Sequence, residues 1–107
     1  MSKVTRGELV KAVRLAMKTS LVGGSRFVPV AHDHFAGYEL SCRRTYPSRV
    51  QPFPTTEIEL RNASTRLIHW CTTAAYLSTC IDTVLRDGGI KPIELKDATV
   101  KAAEFSE

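Results

Sequence analysis

Apolar and polar positions change period along the 107 residues of this chain. Leu9, Ala12, Val13, Ala16, Met17 and Ser20 recur at helical spacing behind Thr5 and Glu8, a capping-box pair, and Gly23-Gly24 stops the run. The spacing predicts a first helix over about residues 6–22. At 100° per residue Lys11, Arg14 and Lys18 share one arc, turned away from Leu9, Val13 and Ala16.

From Arg26 to Tyr46 the helical period gives way to alternation. Phe27-Val28-Pro29-Val30 reads as one short strand, and Tyr38, Leu40 and Cys42 alternate with Glu39, Ser41 and Arg43 as a second. A β-hairpin turning near His32 to Gly37 accounts for both, with Pro29 at an edge because it cannot donate to a ladder. Pro47, Pro52 and Pro54 make residues 47–54 an extended connector.

Thr56 and Glu59 repeat the capping-box spacing. Beyond them Leu60, Ala63, Leu67, Trp70, Cys71, Ala74, Leu77, Ile81, Val84 and Leu85 fall on one arc, and Asp87-Gly88-Gly89 supplies a stop. The pattern predicts a long amphipathic helix over residues 56–87. Such a helix is about 48 Å long, against about 34 Å for a compact domain of this size. Either residues 55–60 form a strand and Asn62 caps a shorter helix, or the helix overhangs and buries its end on a second subunit, giving a homodimer. The continuous helix is the expectation, because Leu60 and Ala63 stay in phase with the later stripe. Ile90 to Leu95 reads as a short strand, followed by a helix that Asp97 caps and that runs through Ala98, Val100, Ala102 and Phe105. The predicted fold is therefore α+β, a single compact domain over residues 1–107.

With 43% apolar and 24% charged residues the chain lies near the globular average, which excludes collagen-like and wholly disordered classes. Charge changes the picture more. The formal net charge of +4 is uneven: residues 1–26 hold six cations against Glu8 alone, whereas residues 55–107 carry more acids than cations. That asymmetry concerns encounter with anionic partners, not fold. Cys42, Cys71 and Cys80 cannot all pair within one chain, and the N-terminus lacks a secretory pattern, so a reducing, cytoplasmic compartment is expected. No apolar run is long enough to span a bilayer, and no membrane partner is expected.

Four kinds of chemistry compete with plain structural roles for these residues. For a metal, His32, His34 and Cys42 lie near one another across the predicted hairpin, but their spacing fits no standard zinc pattern; the expectation is no metal, with His32, Asp33 and His34 as a polar turn and Cys42 as a small core residue. His69, Cys71 and Cys80 diverge around a helix and cannot share an ion. For catalysis, no glycine-flanked nucleophile, phosphate loop or dinucleotide fingerprint is present, so the expectation is a non-enzymatic protein without a cofactor. For nucleic acid, Lys11, Arg14 and Lys18 together with Arg43, Arg44 and Arg49 supply six phosphate-binding charges, and Tyr46 or Phe53 supplies a stacking ring. For protein contact, the polar arc of the long helix presents His69, Thr72, Tyr76 and Thr79 with Trp70 at its edge, hydroxyls and aromatics in place of Glu and Lys. The leading expectation is docking on a larger protein that the chain regulates, as small accessory or inhibitor proteins of bacteria and phages do. A nucleic-acid-binding module using the basic N-terminal half is the alternative.

Overall fold

A computed structural model of the chain describes residues 3–50 and 52–90. Helix α1 (Arg6–Val22) is followed by β1 (Val28–Pro29), β2 (Tyr38–Thr45), β3 (Thr55–Asn62), β4 (Ile68–Thr73) and helix α2 (Leu77–Asp87), with single 3₁₀ turns at Asp33–Phe35 and Ala74–Tyr76. The four strands form one antiparallel sheet in sequence order, so every neighbour is joined by a hairpin and β1 and β4 are the edges. The α+β class and the N-terminal helix and hairpin follow the expectation; the expected strand and helix after Ile90 lie outside the described residues.

The start of α1 forms as its sequence dictates. Thr5 Oγ1 accepts a hydrogen bond from the Glu8 N–H at 3.2 Å, and Gly23 closes the other end. Leu9, Ala12, Val13, Ala16 and Ser20 are the buried face. They meet Tyr38, Leu40 and Cys42 from β2, Ile58 and Leu60 from β3, Trp70 from β4, and Ile81 and Val84 from α2. Both helices pack into this core from one face of the sheet, and among the described residues no helix or strand covers the other face.

The long helix over residues 56–87 does not exist. Its first half is the β3–β4 hairpin, and only residues 77–87 are α-helical. The reason is legible in the residues themselves: Ile58 and Leu60 alternate with Glu57, Glu59 and Arg61, a period of two that a half-buried sheet satisfies. Threonines and isoleucines at 55, 56, 58, 68, 72 and 73 favour the pleated surface over a helix. Two of the alternating charges, Glu57 and Arg61, find partners on β2. Arg43 is paired with Glu57 at 2.5 Å, and Arg61 is paired with Glu39 at 2.6 Å while its guanidinium stacks on Phe27 at 3.6 Å from the ring centre. Asn62 caps no helix; its side-chain oxygen accepts from the Ser64 and Thr65 N–H groups in the tight β3–β4 loop. With the long helix goes the reason for expecting a homodimer through it.

Candidate nucleic-acid interface

The docking surface expected on one helical arc is dispersed over three elements. Trp70 is buried, directly opposite Leu60, and its ring meets Phe35 edge to face at 5.7 Å. It completes the core and offers no anchor to a partner. Thr72 pairs with Ile58 and shares its face of the sheet. Tyr76 and Thr79 are exposed at the start of α2, with Tyr76 at 68%, on a different element from His69.

His69 occupies a break in register. Leu60 faces Trp70 and Arg61 faces Ile68, so His69 is the extra residue of a β-bulge. Its ring stands 5.6 Å from Tyr38 and 6.4 Å from Trp70, at the mouth of a cavity of about 320 Å³ that Thr83, Asp87 and Ile90 also line. Loss of water around the imidazole lowers its pKa from the ordinary histidine value.

The sulfur and imidazole groups that suggested a metal do not converge. Cys42 is buried between β2 and α1, where desolvation pushes its thiol pKa up. His32 and His34 lie 5.0 Å apart, ring edge to ring face, and His32 Nδ1 accepts the His34 N–H at 3.0 Å. Among the described residues no group of three or more ligating side chains is placed to hold an ion, and Cys42, Cys71 and Cys80 are all free.

The six basic candidates divide into two groups. Lys11, Arg14 and Lys18 are exposed along α1, and Arg44 and Arg49 are exposed at the end of β2 and in the loop beyond it. None of these five has an ion-pair partner among the described residues. Arg43 is the exception, since its side chain belongs to the open face of the sheet, where Glu57 compensates it. Hydrogen bonding to that carboxylate holds the Arg43 pKa above its usual value.

The β2–β3 loop adds aromatic surface to the charge. Tyr46 is 86% exposed and Phe53 74%, on either side of Arg49, and no acid occurs between Glu39 and Glu57. Sequence reading identified these loop residues and the basic arc of α1. It did not identify the bulge at His69, because a register break depends on what the partner strand does. No helix among the described residues is long and apolar enough to cross a membrane.

Compared with known proteins, the chain matches no family model, and no curated protein and no solved structure is significantly similar to it.

Proposed function

We propose that this chain is a non-enzymatic binding module whose target is a nucleic acid, held by the exposed face of α1 and the loop between β2 and β3. One observation carries the reading: Arg43 and Arg61 on the sheet are neutralised by neighbouring carboxylates, whereas Lys11, Arg14, Lys18, Arg44 and Arg49 have no ion-pair partner among the described residues. Fixed positive charge without an internal partner releases counterions when phosphates replace them, and that release is the main source of sequence-independent affinity. Tyr46 and Phe53 supply flat surfaces on which unpaired bases stack, which favours a single strand over a duplex.

The test is a fluorescence-anisotropy titration of a labelled single-stranded oligonucleotide at several salt concentrations. Binding should weaken linearly on a double-logarithmic plot, with a slope of about −0.7 for each phosphate neutralised. Replacing Lys11, Arg14 and Lys18 by Glu should abolish it. Retention of affinity by that triple variant, or affinity indifferent to salt, removes the reading.

A further inference from the structure

Beside the basic arc of α1 lies apolar surface that a nucleic-acid backbone would not use. Leu15 and Val22 are 58% and 83% exposed on the helix. Lys11, Leu15, Lys18 and Val22 follow one another at spacings of four, three and four residues, so cations and large apolar groups alternate along a single row. The row borders two adjoining depressions of about 280 and 470 Å³, which share Leu15, Thr19 and Arg26. Ala12 and Ala16 form one wall, and Val28 and Pro29 of the edge strand β1 form the other. Small side chains at 12 and 16 leave the space open.

The charge around this groove has one sign. Lys18 and Arg26 line it, and from Leu9 to His32 the sequence contains four cations and no acid. A strand added to the β1 edge is a poor occupant, because β1 has only two residues and Pro29 has no N–H to donate. An apolar groove beside a helix with a cationic rim matches instead a helix whose apolar face has anchors at helical spacing and whose flanks are acidic. We propose that the groove between α1 and β1 docks an acidic amphipathic helical segment of a partner protein, with Leu15 and Val22 covered by its apolar face and Lys18 and Arg26 meeting its carboxylates. The groove shares Lys18 with the proposed nucleic-acid interface but none of the aromatic β2–β3 loop, and its apolar surface consists of Leu15, Val22, Val28 and Pro29, which the nucleic-acid reading does not use.

The experiment is selection from a displayed library of random 16-residue peptides on the immobilised full chain, followed by anisotropy titration of the enriched peptides. The expected consensus has apolar residues three and four positions apart and a net negative charge. Its affinity should fall at least tenfold on Leu15→Ser with Val22→Ser, an exposed pair whose replacement should leave the circular dichroism unchanged. The salt slope of oligonucleotide binding should be the same in that variant, because it removes no cation, and this distinguishes loss of the apolar contact from loss of charge. Lys18→Glu with Arg26→Glu should also remove peptide binding. Enrichment of basic or uncharged peptides, no enrichment, or binding that survives Leu15→Ser with Val22→Ser overturns the proposal. So does a concentration-dependent dimer that the same pair dissolves, or saturable binding of a synthetic peptide with the sequence of residues 91–107, since either assigns the groove to this chain itself.

Discussion

The hydroxyl of Ser20 links α1 to the sheet: Ser20 Oγ accepts the backbone N–H of Cys42 at 2.9 Å and donates to the Arg26 carbonyl at 2.7 Å. Strand β1 pairs with β2 only at Glu39 and Leu40. Two residues further along, the N–H of Cys42 finds this helix side chain. Ser20 is fully buried, so Ser20→Ala should leave the Cys42 N–H without a partner and cost about 1–3 kcal/mol. Chemical denaturation should show a lower midpoint with an unchanged slope.

The division of the arginines on β2 yields a contrast between neighbours. Arg44→Ala should weaken oligonucleotide binding and reduce the salt slope by about one phosphate's share. Arg43→Ala should have a much smaller effect, because Glu57 already compensates that charge. Equal losses from the two variants in salt-dependent titrations would contradict the assignment of the interface to the α1 side and the loop.

Trp70 and Tyr76 separate packing from surface. Trp70 lies in the core against Phe35, and Trp70→Ala should destabilise by about 3–5 kcal/mol through the cavity it leaves. Tyr76 is largely exposed, and Tyr76→Ala should change stability by no more than about 0.5 kcal/mol. Thermal unfolding of the two variants measures both.

The lowered pKa of His69 gives a pH dependence with a definite sign. Below about pH 6.5 the unfolded chain takes up a proton at this side chain before the folded chain does. Folding stability contributed by neutral His69 is therefore present above that pH and declines as the pH falls below the ordinary histidine value. In His69→Gln, denaturation midpoints measured across this window should fall less steeply than in the unaltered chain.

Local chemistry was enough to specify α1, its Thr5 cap, its basic arc and the alternating strand β2, because those features depend on neighbours three, four or two positions away in the chain. Residues 57–61 show where that kind of evidence divides. Glu57-Ile58-Glu59-Leu60-Arg61 alternates with period two, yet Leu60 also stays in phase with a helical stripe ending at Leu85. Only the tertiary structure decides between the periods, by placing Glu39 and Arg43 of β2 opposite Arg61 and Glu57 and by closing Ile58 and Leu60 beneath α1. Those contacts join residues far apart in sequence, and their energy does not appear in any local pattern. The candidate surfaces divide in the same way. The row of cations on α1 follows from helical geometry alone. That Arg43 is neutralised, that Trp70 is buried and that Leu15 borders an open groove follow from which strand lies beside which.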